Sequence, residues 1–467
     1  MALSSYAPRL RTAVVLCGTG TAGAYHAGVL RALNEAGIKV DVVAAHGVGV
    51  IGALSAAVDS GGHLWADAGP WTTARASHAY RWRPAIRVAA GALGAACLLL
   101  LSPLLAVLAA TVVYAGGMLA SLLNFPSIAE RLLSTYTRFL TSLFDPPILP
   151  TVVPRLVLLA LVGMVAVLAI SAWRARKGRR SRRRTKGLFW WHLLGHTLDP
   201  AEPEGLALEA LWQITRGASG APASSRDEMG RRYVELVSEN FGQPGFREVL
   251  LAVHDIDARR DVVVGLVAPA WHTAFTQRRV GAGPRESESV DVSAGAEADR
   301  ALVVDAVMAG LRVPVASAPH EVTFSLNSYW QGETHRWCDR PDLVGRLIDE
   351  VARIGVEQVV LVTPAPPAAQ PHDLRMTPGD FRHRMGETLR SVETAAFQEA
   401  WAAAAPRFSG VFAIRPDHNP AGPFDFSGVY DESSDRTRSL AELVRQGYDD
   451  AYRQFIEPVV AAGERIE

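Results

Sequence analysis

The sequence has few of the features that mark several large protein classes. Its 467 residues include only three cysteines, and the wide spacing of Cys17, Cys97 and Cys338 predicts neither a disulfide framework nor a metal site. Its 47 basic and 47 acidic side chains balance, so no overall charge indicates nucleic acid as a partner. Met1–Leu10 lacks an apolar core of signal-peptide length, which predicts an N-terminus that stays in the cytoplasm. No residue pattern indicates a cofactor.

Two long apolar runs stand out in a chain that is 49% hydrophobic. Val88–Leu123 has no charged side chain over about 36 residues and Leu156–Trp173 covers about 18, whereas a bilayer span needs roughly 20. The alternative is a buried hairpin of core helices, but apolarity on all faces favours the membrane. We therefore predict a transmembrane hairpin with spans at about 88–115 and 154–173.

Basic residues flank both runs and set the expected orientation. Arginines precede the first run, and the dense basic flank Arg174–Lys186 follows the second. Positive residues stay on the cytoplasmic side, so the globular part is expected there. The basic flank is expected to bind anionic lipid head groups rather than RNA. The amphipathic piece Ile128–Phe144 is predicted to lie near the membrane surface, and the tryptophans expected at the interface are Trp82, Trp173, Trp190 and Trp191.

The stretch Thr12–Leu54 is typical of strand, glycine turn, helix, strand, second glycine turn and helix. Its first turn, Gly18-Thr19-Gly20-Thr21-Ala22-Gly23, fits the G-x-G-x-x-G pattern of dinucleotide-binding folds. In those folds an acid follows the second strand, whereas Asp41 stands at the start of that strand. This placement makes a nucleotide site the weaker interpretation.

The same stretch resembles the patatin-like phospholipase family. That family has a glycine-rich oxyanion loop running into a helix, followed after the next strand by a G-x-S-x-G nucleophile elbow. The loop corresponds to Gly18, Thr19, Gly20, Thr21 and Gly23, and the elbow aligns with Ala45-His46-Gly47-Val48-Gly49. The resemblance implies that the loop N–H groups bind an acyl or phosphate oxygen.

Gly47 stands where the family keeps its nucleophilic serine, and Thr19 and Ala22 replace the loop's middle glycine and its arginine. An elbow serine attacks an ester carbonyl beside the N–H groups that stabilise the oxyanion. Gly47 retains the backbone freedom of that turn but supplies no oxygen. His46 is not at the nucleophile position, and we expect it to face solvent or to bond to backbone.

The remainder of the chain alternates strands and helices, which predicts an α/β fold with a mostly parallel sheet covered by helices. The resemblance implies the patatin-like three-layer form of this fold. The predicted organisation is residues 1–60 and 191–467 as one α/β domain, with the membrane hairpin and its basic flank inserted at residues 61–190.

The family also has a catalytic aspartate in a glycine turn late in the chain. Gln331, in Tyr329-Trp330-Gln331-Gly332-Glu333, is the preferred position because a tight turn favours the glycine that follows it. Asp339 is the second candidate, although no glycine follows it. A glutamine cannot take the proton that an aspartate takes from the serine.

These residues predict a membrane-anchored, patatin-like protein that binds lipid but is impaired in hydrolysis. No catalytic residue is assigned, because Gly47 stands at the nucleophile position and Gln331 at the preferred acid position. The alternative is an active lipid acyl hydrolase with a displaced nucleophile, for which Ser55, Thr19 and Thr21 are the candidates. The expected partners are membrane lipid and a lipid or acyl ligand, and neither nucleic acid nor a metal ion is expected.

Overall fold

A computed structural model describes residues 6–58, 62–66, 69–73, 75–147, 152–177, 195–216, 225–277, 285, 287–295, 297–367, 381–417, 421–431 and 435–463. The chain divides into two compact units. The first, called here the globular unit, contains residues 1–81 and 198–467, and the second contains residues 82–197.

A mixed sheet of nine described strands organises the globular unit. Its main path runs β5-β4-β3-β2-β1-β8-β9, and β6 and β7 form a hairpin that extends from β3. The pairs β1–β2, β2–β3, β1–β8 and β8–β9 are parallel, whereas β4 and β7 run antiparallel to β3. The strands are β1 Thr12–Leu16, β2 Val42–Ala45, β3 Glu248–Asp255, β4 Arg260–Leu266, β5 Ser289–Asp291, β6 His320–Thr323, β7 Thr334–Cys338, β8 Gln358–Val362 and β9 Gly410–Ile414.

Helices cover both faces of this sheet, which confirms the prediction of an α/β fold with a mostly parallel, covered sheet. Alternate residues of β1 enter two separate cores: Val14 and Leu16 join one, and Ala13 and Val15 join the other. This burial on both faces explains why the strand is a continuous apolar run. The helices of the globular unit are Ala22–Glu35 (α1), Gly49–Ala56 (α2), Gly62–Trp65 (α3), Ala201–Thr215 (α7), Arg226–Glu239 (α8), His272–Thr276 (α9), Leu302–Gly310 (α10), Leu343–Arg353 (α11), Phe381–Ala404 (α12), Leu440–Ala451 (α13) and Glu457–Gly463 (α14).

Two elements complete this part of the globular unit. The short strand β5 pairs in parallel with β4 at the end of the main path of the sheet. Helix α8 begins after Ser225, whose side chain caps it by accepting from the Glu228 N–H.

The described residues of the second unit form three helices, Pro84–Leu122 (α4), Pro126–Leu143 (α5) and Val152–Lys177 (α6). Helices α4 and α6 are each long and apolar enough to cross a membrane. Helix α5 corresponds to the amphipathic piece predicted at the membrane surface; it packs on α4, and the Tyr136 hydroxyl donates to the Ala106 carbonyl. Most of the basic flank Arg174–Lys186, together with Trp190 and Trp191, lies outside the described residues.

Candidate functional site

The two glycine turns of the N-terminal stretch meet at the carboxyl ends of β1 and β2. They are adjacent because β1 and β2 pair in parallel, with Leu16 opposite Ala45. The Val48 N–H donates to the Gly18 carbonyl over 3.0 Å, which joins the turns directly. Gly47 has a φ of +60°, a left-handed conformation that a glycine adopts without strain. Two glycine turns, one of them left-handed at Gly47, are therefore joined at one edge of the sheet.

Asp339 faces Gly47. A Cβ atom built on Gly47 would lie 3.1 Å from Asp339 Oδ2 and 2.3 Å from the Gly18 carbonyl oxygen. Asp339 directly follows β7, and its side chain is buried. Gln331, the preferred sequence candidate for the acid position, lies exposed in the turn that connects β6 and β7. The structure thus places the second candidate beside Gly47 and the first away from it, because β7 ends at Cys338.

His46 is buried, contrary to the expectation that it faces solvent or bonds to backbone. Its Nδ1 lies 3.1 Å from Asp339 Oδ1. Burial lowers the pKa of His46, but the hydrogen bond and negative charge of Asp339 outweigh this and raise the pKa well above its ordinary value. The thiol of Cys17 at the end of β1 also bonds to this imidazole and favours its charged form. The imidazole and the carboxylate are therefore a directly bonded pair in the protein interior.

Thr19 connects this pair to helix α12. Its hydroxyl donates to Glu393 Oε1 over 2.8 Å and lies 3.4 Å from Asp339 Oδ2. Burial raises the pKa of Glu393 to about 7, and the hydrogen bond from Thr19 opposes part of that rise. A buried carboxyl that titrates near neutral pH is a common feature of functional sites. The sequence gives no signal for Glu393, since it lies in the middle of a helix that is distant along the chain.

Residues 421–426, called here the capping segment, cover the glycine loop. The Pro423 carbonyl accepts from the Thr21 N–H over 3.1 Å, and the Gly422 carbonyl accepts from the Thr21 hydroxyl over 2.7 Å. A Cβ on Gly20 would lie 1.8 Å from the Pro423 oxygen, so only glycine allows this approach. Between this segment, Thr19 and Glu393, the described structure leaves no volume for a water-sized sphere.

The loop retains other donors. The N–H groups of Gly18, Thr19 and Gly20 make no hydrogen bond with the described residues. They lie just before helix α1, whose N-terminal end favours negative charge. Buried N–H groups without partners are rare and mark places where an oxygen atom binds. Gly23, the last glycine of the motif, instead lies inside the first turn of α1, where a Cβ would be 2.1 Å from the Trp71 ring.

The candidate displaced nucleophiles occupy different surroundings. Ser55 is buried in α2, donates to the Ile51 carbonyl over 3.1 Å and lies 3.3 Å from His63 Nε2. The Thr21 hydroxyl is used by the capping segment. Of these three candidates, only Thr19 has a hydroxyl in contact with the carboxylates of Asp339 and Glu393.

Asp41, the acid of the nucleotide interpretation, has a structural contact. It accepts from the Thr12 N–H over 2.9 Å at the beginning of β1. The glycine loop follows the other end of that strand. Among the described residues no group of three or more metal-ligating side chains converges.

No family model matches the sequence, and no curated protein matches it. Among solved structures, the crystal structure of VipD from Legionella pneumophila aligns with 97% of this chain and 67% of that chain. The aligned residues are 12% identical and the TM-score is 0.33. A likeness at this level carries no argument about fold or function, so the site is interpreted from its own geometry.

Proposed function

We propose that this chain is a membrane-anchored, patatin-like protein whose acyl-hydrolase centre no longer hydrolyses esters. The observation that carries the proposal is the pair formed by Gly47 and Asp339. The carboxylate that would take a proton from an elbow serine is in place, 3.1 Å from the position of the missing Cβ. The residue that would supply the attacking oxygen is glycine.

Two further contacts support the loss of hydrolysis. The aspartate is already paired with His46, so one of its two oxygens is occupied by the imidazole. The Pro423 carbonyl accepts from the Thr21 N–H and lies over Gly20, so an ester must displace the capping segment before it reaches the glycine loop. Each of these changes opposes acyl transfer independently.

The same geometry supports retained binding of an oxygen-rich ligand. The unpaired N–H groups of Gly18, Thr19 and Gly20 are suited to an acyl carbonyl, a carboxylate or a phosphate oxygen. Helices α4 and α6 supply the lipid environment. The proposed protein therefore resides in a membrane with its globular unit on the cytoplasmic side and contacts lipid without cleaving it.

The decisive experiment uses the full chain reconstituted in lipid nanodiscs. Hydrolysis of p-nitrophenyl butyrate and labelling by a fluorophosphonate probe are compared with an Asp339→Asn variant. We expect both proteins to give the rate of empty nanodiscs and no labelling. Saturable hydrolysis that disappears in Asp339→Asn would contradict the proposal.

Thr19 is the specific observation that favours the rival function, an active acyl hydrolase with a displaced nucleophile. Its hydroxyl contacts Glu393, whose pKa of about 7 suits a general base at neutral pH. This enzyme requires movement of the capping segment before substrate enters. Hydrolysis that is lost in Thr19→Val and retained in Ser55→Ala identifies this function, whereas the opposite pattern identifies Ser55.

A further inference from the structure

Val315 combines two properties that are unusual for a valine. Its side chain is 89% exposed, the highest value among the large apolar residues of the described chain. Its φ is +67°, and a β-branched residue in this left-handed region is strained. The Ala316 N–H donates to the Pro314 carbonyl over 2.7 Å, which closes a one-residue turn around Val315. The protein thus holds a bare apolar side chain outward at a cost in backbone energy.

This turn lies where the chain leaves and re-enters the globular unit. The Leu198 N–H donates to the Ala316 carbonyl over 2.8 Å, and the Asp199 N–H donates to the Arg81 carbonyl over 2.9 Å. Arg81 is the last residue before the insertion and Leu198 is the first after it. The residue next to Val315 is therefore bonded to the re-entry point, which in turn adjoins the exit point.

Only a short connection separates the exit point from the apolar run. Helix α4 begins at Pro84, and its uncharged stretch starts at Val88. The six residues from Trp82 to Arg87 reach at most about 14 Å, since four of them are helical. If α4 crosses a bilayer, the lipid head groups are held within that reach of Arg81.

We propose that Val315 inserts into the head-group boundary of the membrane that α4 crosses. This inference rests on the membrane anchoring proposed above and names a lipid contact of the globular unit itself. Arg81, at the exit point, complements anionic head groups, and an apolar side chain together with basic ones is the usual composition of an interfacial contact. Insertion of the Val315 side chain into lipid then explains why the chain maintains a strained turn at this position.

Spin-label depth measurements test the contact in the full chain. The protein is reconstituted in vesicles of phosphatidylcholine and phosphatidylglycerol, and labels are compared for collision with oxygen, which partitions into lipid, and with a water-soluble nickel chelate. One label sits on the native Cys97, which is exposed on α4, whereas Cys17 and Cys338 are buried. The others sit on Val315→Cys and Val460→Cys in a Cys97→Ser background. Val460 is a matched control because it is also an exposed valine of the globular unit.

The expected result is an oxygen-to-nickel collision ratio several-fold higher at position 315 than at position 460, with the highest ratio at Cys97. If Cys97 reports lipid while position 315 matches position 460, the Val315 contact is refuted and the membrane anchor stands. A Cys97 label that collides freely with nickel removes the anchor, and the Val315 contact with it. Shielding of position 315 from both reagents indicates a protein contact and also refutes the lipid contact. Matching melting curves for the cysteine variants and the native chain establish that each variant is folded.

Discussion

Asp339 Oδ2 lies 3.1 Å from the point at which a side chain on Gly47 would begin, and the Gly18 carbonyl oxygen lies only 2.3 Å from the same point. At the first distance the carboxylate oxygen would already be in tight contact with the added Cβ, and the second distance leaves no room for a serine. The Gly18 backbone therefore occupies the space that a side chain at position 47 needs. Placing a serine here is a problem of space as well as of chemistry.

The first prediction concerns Gly47→Ser. We expect this variant to be destabilised by about 2 kcal/mol or more, since its Cβ must displace the Gly18 backbone, and we expect no ester hydrolysis. Denaturant unfolding and the p-nitrophenyl ester assay measure the two effects. Gly37→Ser is the control, because Gly37 has a φ of +64° but open space around it. Turnover that appears in Gly47→Ser and vanishes in the double variant with Asp339→Asn would show that the site needs only the hydroxyl.

The second prediction concerns the capping segment. Gly20 and Gly37 share a φ of +64°, but a Cβ on Gly20 would lie 1.8 Å from the Pro423 oxygen. Alanine at either position costs roughly 1 kcal/mol of backbone strain, and only Gly20→Ala must also expel the capping segment. We expect faster limited proteolysis around residues 421–426 in Gly20→Ala alone. Equal protection of the two variants would mean that Pro423 does not hold the loop closed.

The third prediction is a pH dependence of stability that comes from Glu393. Its folded pKa of about 7 is above the ordinary 4.5, so the folded state binds more protons than the unfolded state between these values. The contribution of Glu393 to the free energy of unfolding should therefore fall as pH rises from about 4.5 to 7, by on the order of 3 kcal/mol in total, and stay low above that. Glu393→Gln should melt at a higher temperature than the native chain at pH 8 and at a similar temperature at pH 4.5.

His46 changes stability in the same direction but over a different pH range. Its raised pKa gives stabilisation that is present below the ordinary value of 6.5 and is lost only as pH rises through the higher folded value. Glu204, Glu248 and Asp450 also have raised pKa values, and the lowered pKa of His26, about 3, gives a slope of opposite sign below 6.5. The Glu393 contribution is therefore the difference in slope between the native chain and Glu393→Gln. An unchanged slope in that range for Glu393→Gln would assign the effect to another group.

The fourth prediction separates a buried ion pair from an exposed one on the same helix. Arg285 makes two hydrogen bonds to Glu350, at 2.5 and 3.0 Å, and both side chains are almost inaccessible. Glu350→Gln leaves the guanidinium charge buried and should lower the unfolding free energy by about 3 kcal/mol or more. Asp349→Asn breaks the half-exposed pair with Arg407 and should cost less than about 1 kcal/mol. Similar losses for the two variants in urea unfolding would contradict this assignment.

The sequence predicts the sheet and the two glycine turns because each depends on local patterns. Continuous apolar runs identify β1 and β2, and the glycines identify the turns that follow them. The acid position depends on where β7 ends, and β7 has the mixed sequence Thr334–Cys338 in a hairpin that extends from the main sheet. A turn glycine at Gly332 gives a stronger local signal than the strand does, which explains why Gln331 is preferred from sequence.

The rest of the site is formed by contacts between distant parts of the chain. Thr19 and Glu393 are 374 residues apart in sequence, and no local pattern announces their hydrogen bond. The surroundings of His46 are equally hidden from local sequence patterns, because its hydrogen-bond partner Asp339 is 293 residues away. Single-residue rules describe the usual surroundings of a histidine and do not identify its partner.

The order of strands in the sheet has a consequence for biosynthesis. Strand β1 lies between β2 and β8, and β2 needs β3, yet both partners are translated only after residues 82–197. At about 5–20 residues per second, the ribosome takes on the order of tens of seconds to reach β8. During that time the nascent N-terminal segment has two apolar strand edges without neighbours. Chaperones should therefore bind the nascent chain mainly within its first 58 residues. This binding should increase when translation between β2 and β8 is slowed.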